Sequence, residues 1–348
     1  MNHMIKYIIP IFITMMVYSS CSDNGCDSKD HDKDCDSTIP QSNADSQYRQ
    51  YMRQFVISIS MYARTLDPDF IIIPQNGQEI VTIDSKIPAT TYLNAINGLG
   101  REDLNYGYCD DNVLTDSAMT AYINTFLDDA KNAGKTILVT DYVSSTGFAD
   151  DAYAKNKTKG YISFAADHRD LNNIPFYPHN PRDENSNDIT VLSDAKNFLY
   201  LIDPGKYNDK SLFLSAIRQT NFDLIIIDLF CYSNVTDAEE PLTAVEINSL
   251  KTKQNGGQRL ILAYMSIGEA ENYRYYWQRG WGPGSPGFII KENPEWEGNY
   301  IVKYWDESWQ DIILGNSNSY VDKVIDARFD GVYLDIIDAF EYFEANAH

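Results

Sequence analysis

Acidic side chains stand where apolar runs end. The runs 198–202, 224–227 and 331–334 are followed by Asp203, Asp228 and Asp335. Asp141 and Tyr142 follow the run 136–140, and Gln75 with Asn76 follows 70–74. Glu102, Ser266 with Glu269, and Trp305 with Asp306 close further segments. Carboxyl groups at such positions can give, take and share protons and can attract cations. A single Asp after a strand also serves as a helix cap. An acid or amide at nearly every tip goes further and implies that at least two of them do proton chemistry. The five Cys and five His form no C-x-x-C pair and no H-E-x-x-H helix, so no metal and no cofactor are expected.

The elements that must position these groups alternate along the chain. Short β-rich apolar runs at 70–74, 136–140, 160–166, 198–202, 224–227, 260–264, 300–304 and 331–334 read as strands. Between them, 46–66, 117–133, 210–220, 239–253 and 307–326 read as helices, and 170–192 as a long loop. Alternation of this kind implies an α/β fold with a parallel sheet and crossover helices. A run such as 224–227, apolar at every position, suits a sheet buried on both faces. Eight strands are what a closed (β/α)8 barrel needs, and catalytic groups there sit at the C-terminal strand ends. No composition break follows residue 46, so 47–348 reads as one domain.

The N-terminus is read separately. Lys6 and the apolar stretch 7–18 form a secretion signal, and Ser19-Ser20-Cys21 resembles a bacterial lipobox, with Cys21 as lipid acceptor. Residues 22–46 hold seven Asp and two Lys and read as a disordered acidic linker. Asp30, Asp32, Asp34 and Asp36 alternate like calcium-loop ligands, but Cys35 stands where the turn wants Gly and Gln41 where it wants Glu. A solvated spacer is the reading taken. Cys26 and Cys35 could pair, and Cys109 and Cys231 read as buried thiols. The expected setting is the bacterial cell envelope, lipid-anchored, with secretion or the periplasm as the alternative. The 348 residues carry 28 Lys+Arg against 50 Asp+Glu, a net charge of −22. That excess excludes a nucleic-acid partner, which would need clustered cations. A monomer is expected, touching the membrane only through the anchor.

Several segments resemble glycoside hydrolase family 114, the endo-α-1,4-polygalactosaminidases and their bacterial and archaeal relatives. They are 264–271 (YMSIGEAE), 299–309 (NYIVKYWDESW), 329–340 (FDGVYLDIIDAF), 69–79 (DFIIIPQNGQE), 98–108 (GLGREDLNYGY) and 138–142 (LVTDY). The resemblance implies a (β/α)8 TIM barrel and hydrolysis of an α-linked galactosamine-type polysaccharide. It also implies a catalytic pair: Asp335 as nucleophile and Glu102 as acid/base. Fungal members carry Pro and Asn around that Asp, where this chain has Leu334 and Ile336. Asp228, Tyr264, Ser266, Glu269, Asn76, Asp141, Tyr142 and Trp305 are the candidates for holding substrate. The run Tyr273, Tyr275, Tyr276, Trp277 and Trp281 offers an aromatic wall for sugar faces. The order of segments differs from the family's, which implies a circular permutation with family strands 6–8 first and then 1–5. A surface lipoprotein that binds polysaccharide without cleaving it is the alternative function.

Overall fold

The computed structural model describes residues 39, 45–84, 86–207, 209–233 and 238–347. The signal segment, Cys21, the Asp30–Asp36 alternation and most of the acidic linker lie outside the described residues. Among the described residues, no helix is long and apolar enough to cross a membrane. Cys231 is a free buried thiol, whereas Cys109, expected as a thiol, is disulfide-bonded.

Eight parallel strands carry the fold: β1 Ile71–Pro74, β2 Gly98–Glu102, β3 Thr136–Tyr142, β4 Ile162–Ala166, β5 Phe198–Tyr200, β6 Leu224–Asp228, β7 Leu260–Ser266 and β8 Gly331–Asp335. One sheet has the order β1-β8-β7-β6-β5 and a second the order β2-β3-β4. The last strand therefore pairs with the first, Ile71 facing Gly331 and Ile73 facing Tyr333. A parallel bridge between Gln75 and Gly100 links the two sheets at one edge. At the other edge the rings of Phe164 (β4) and Phe198 (β5) lie 5.6 Å apart. Ile225, Ile226 and Ile227 are fully buried, as an apolar run covered on both faces must be.

The helices follow from spacing and caps. Helix α1, Gln47–Leu66, starts where the Ser46 hydroxyl accepts from the Arg49 N–H. Its buried Met52, Phe55, Val56, Ile59 and Ala63 recur at three and four residues, one stripe facing inward. It packs near the other end of the chain. Arg49 pairs with Glu344 at 2.8 Å, and the Tyr62 hydroxyl donates to Asp322 at 2.8 Å.

Three expectations are corrected. The apolar segment 300–304 is no parallel strand: Asn299–Val302 pairs antiparallel with Glu269–Glu271 and Ile289–Glu292. Its place among the eight is taken by β2, whose GLGRE sequence has a single large apolar residue and so lacks a hydrophobic run. Four parallel strands thus precede the long loop and four follow it, not three and five. The helix expected over 239–253 is only Ala244–Leu250, because Ala238–Pro241 joins Phe230–Ser233 in an antiparallel hairpin. The helix expected over 307–326 is two, Glu307–Ile313 and Tyr320–Asp326, broken around Gly315 at φ +97°.

Candidate active site

The strand ends open into a cavity of about 680 Å3. Eleven of its lining side chains are carboxylic acids and three are cationic. Of the candidates from sequence, Asn76, Glu102, Tyr142, Asp228, Tyr264, Glu269 and Asp335 line it.

Glu102 and Asp335 are brought together by Gln75, which sequence reading noted only as a polar tip. One nitrogen, Gln75 Nε2, donates to Glu102 Oε2 at 2.6 Å and to Asp335 Oδ1 at 3.1 Å. Laid end to end, those bonds limit the two oxygens to about 5.7 Å apart. Glu102 also accepts from the Tyr142 hydroxyl and from Asn76 Nδ2 at 3.2 Å, while Asn76 Oδ1 accepts from the Glu102 N–H. Asp335 Oδ2 accepts from the Tyr264 hydroxyl at 2.7 Å. These groups can converge because strand neighbours sit side by side: Tyr264 is level with Tyr333, and Ser266 with Asp335. The ring of Tyr200 packs on those of Tyr264 and Tyr333. The Tyr333 phenol reaches over Gly100, where any Cβ would collide with its hydroxyl.

Backbone turns at the tips are strained. Asn76, Asp103 and Ile336, each next to one of these three polar residues, have φ of +59°, +61° and +58°. For β-branched Ile336 this region is costly, and such strain is typical of functional positions.

Both carboxyls titrate high. Burial pushes Asp335 up to about 7, against the lowering hydrogen bond from Tyr264, and Asp338 adds to the rise. Burial and then the charge of Asp335 raise Glu102, opposed by Tyr142 and Asn76. Asp103 is raised to about 7 by burial and by Glu102, although Arg169 opposes this. Two half-buried carboxyls this close resist ionising together, so the second is harder to ionise than the first.

The opposite wall differs. Asp228 accepts from Arg274 at 3.0 and 2.5 Å, and Glu271 accepts from the same guanidinium at 2.6 Å. Glu269 is bound by Asn293 Nδ2 at 2.8 Å and Asn299 Nδ2 at 3.3 Å, and burial raises it.

Three candidate residues do not line the cavity. Asp141 is fully buried on the other face of β3 and clamps the turn after Glu102. It accepts from the N–H groups of Asn105 and Tyr106 at 2.7 and 3.0 Å and from Asn156 Nδ2 at 2.9 Å. Successive strand residues point to opposite faces, so Asp141 and Tyr142 cannot both enter the cavity. The Ser266 hydroxyl donates to the Glu269 carbonyl at 3.2 Å. Trp305 packs on Phe343 with ring centres 4.6 Å apart, beside Tyr48. Of the expected aromatic wall only Tyr273 lines the cavity. Trp277 and Trp281 pack on each other and on Tyr300 and Phe288. Trp296, not foreseen from sequence, borders the cavity instead.

Parallel strands thus deliver two neighbouring carboxyls to one polar cavity, an arrangement suited to acid–base chemistry. Residues 206–347 match the model of glycoside-hydrolase family GH114, and that segment is what the chain shares with the family. An uncharacterized protein of Methanocaldococcus jannaschii is 39% identical over 165 residues, 47% of this chain and 43% of that protein. An uncharacterized protein of Deinococcus radiodurans is 40% identical over 128 residues, 37% of each chain. One of Thermotoga maritima is 49% identical over 82 residues, 24% of each chain. The matched stretches thus span less than half of each relative.

Proposed function

We propose that the chain is a polysaccharide hydrolase that cleaves an α-linked, galactosamine-type polymer with retention of configuration. The family match supports glycoside hydrolysis. The observation that carries the mechanism is the Gln75 nitrogen shared between Glu102 and Asp335. Retaining enzymes place their carboxyl groups about 5–5.5 Å apart, and inverting ones about 6.5–9.5 Å. The limit set by the two Gln75 bonds favours the first class. Glu102 is assigned the acid/base role and Asp335 the nucleophile's, as the family resemblance implies.

In the first step Glu102 gives its proton to the glycosidic oxygen while Asp335 attacks the anomeric carbon. The C–O bond to the leaving sugar breaks and a glycosyl ester of Asp335 forms. In the second step Glu102 takes a proton from water, the hydroxide attacks the same carbon, and Asp335 leaves as carboxylate. The acidic lining supports a cationic amino sugar over a neutral one.

The fold reading is a closed (β/α)8 barrel that is circularly permuted. The β1–β8 pairing and the packing of α1 against the helix Ala339–Ala345 support it. The two ends then share the place of one crossover connection, a tolerated cut because termini commonly lie together at the surface. The signal segment and Cys21 support a lipid-anchored envelope location.

The test is release of reducing ends from an α-1,4-galactosamine polymer by the full chain. Products that keep the α configuration are expected by NMR. Binding of the polymer with no release in any variant would favour a non-catalytic polysaccharide-binding lipoprotein.

A further inference from the structure

Five Trp occur in the chain, and four are spent on packing. Trp309 is fully buried, Trp305 lies against Phe343, and Trp277 and Trp281 pack in one cluster. Trp296 is 56% exposed and still borders the cavity. It stands on the turn 293–298, between the antiparallel strands Ile289–Glu292 and Asn299–Val302, apart from the parallel strands that carry the carboxyl pair.

The turn is fixed in place. The Asn293 N–H donates to the Asn299 carbonyl at 2.7 Å, and the Asn299 N–H to the Trp296 carbonyl at 3.1 Å. The Gly298 N–H donates to Glu292 at 2.9 Å. Asn293 and Asn299 both bond Glu269 on the cavity wall. A large indole presented by a rigid turn loses little freedom when it takes a ligand.

The charge around it is one-sided. All three cationic side chains of the lining are engaged: Arg169 with Asp103, Lys210 with Glu246, and Arg274 with Asp228 and Glu271. Glu297, next to Trp296 and also in the lining, is exposed. An aromatic face packs on the C–H face of a sugar ring and attracts a nearby cation. The carboxylate beside it selects for an ammonium substituent.

We infer that Trp296 and Glu297 form a separate sugar-binding subsite on the antiparallel insert, which holds a positively charged hexosamine unit away from the bond being cleaved. The subsite deepens the hydrolase reading and makes the chain a binder of extended polymer.

The experiment measures affinity of the full chain for an α-1,4-galactosamine polymer and for its N-acetylated counterpart, and scores reducing ends separately. Trp296→Ala is expected to weaken binding of the amine polymer about tenfold, with Trp296→Phe recovering most of it. Glu297→Gln is expected to narrow the preference for the amine over the acetylated polymer and to flatten its salt dependence. Equal binding by Trp296→Ala and the unsubstituted chain overturns the subsite, as does failure of the unsubstituted chain to bind either polymer. Binding that depends on Trp296 with no reducing ends released upholds the subsite and removes the hydrolase reading instead.

Discussion

The two walls of the cavity use the same acids and hold them by different means. On the β1–β2–β8 side, Glu102 and Asp335 are held by neutral donors: Gln75, Asn76, Tyr142 and Tyr264. On the β6–β7 side, Asp228 and Glu271 are held by the buried guanidinium of Arg274. Neutral donors orient a carboxyl yet leave its proton free to move. A guanidinium fixes charge and geometry together, and it is raised well above its ordinary value once its desolvation is outweighed by Asp228 and Glu271. The first wall is built for proton transfer, the second for a permanent field. The difference between them can be broken from either side.

The largest effect is expected on the first wall. Glu102→Gln and Asp335→Asn should each lower hydrolysis about 10²–10⁴-fold while the melting temperature stays at or above that of the unsubstituted chain. Steady-state rates and calorimetry check both halves. Wild-type rates in either variant would overturn the pair. On the second wall the balance reverses. Arg274→Met leaves two buried carboxylates without their cation and should cost about 3–5 kcal/mol of stability. Denaturant unfolding reads this directly. A loss below 1 kcal/mol would mean that the guanidinium is not what holds Asp228 and Glu271.

How much of this contrast the chain discloses before folding depends on the residue. Asp335 and Asp228 are legible because each ends an apolar β-rich run, the pattern of a buried parallel strand. Glu102 is visible as an acid that closes a segment, but its catalytic role rests on the family resemblance: GLGRE has no apolar run, since Gly100 must leave room for the Tyr333 phenol that crosses from the other sheet. Asp141 was misassigned although strand alternation forbids it from sharing a face with Tyr142. Trp305 was misassigned because 300–304 has strand-like residues yet folds into the antiparallel insert. Gln75 as the bridge could not be read at all. Its role depends on Glu102 and Asp335, 27 and 260 residues away, meeting at one nitrogen.

Asp141→Asn tests whether a residue behind the wall matters to the residue in front. Its Oδ2 accepts from two amides, Asn105 Nδ2 and Asn156 Nδ2, so an introduced amide must leave donors facing each other. A cost of about 1–3 kcal/mol is expected. Hydrolysis should fall as well, because the turn that follows Glu102 loses its clamp. A stability loss with an unchanged rate would show that this turn does not position Glu102.

A subtler probe leaves the packing alone. Tyr264→Phe removes a hydrogen bond that favours the charged form of Asp335, so that carboxyl should rise further above about 7. The nucleophile must be ionised, and the acidic limb of the pH–rate profile should therefore move up by about one pH unit. An unmoved limb would reassign the nucleophile.

The smallest effect is read in stability against pH. Asp335 at about 7 and Asp338 at about 6 both stand above the ordinary carboxyl value near 4. The folded state therefore binds their protons more tightly than the unfolded chain does. The stabilisation is complete below about pH 4 and is lost as the pH rises through 6 and 7. The melting temperature should fall between pH 5 and pH 8, in the direction opposite to a protein whose acids are salt-bridged. Asp103, Glu239 and Glu341 are raised into the same window, so Asp335→Asn removes one contributor and should make the fall shallower without abolishing it. Arg274, which titrates far above this window, cannot contribute to it, so a slope that survives Asp335→Asn intact would place its source in the other raised carboxyls rather than in Asp335.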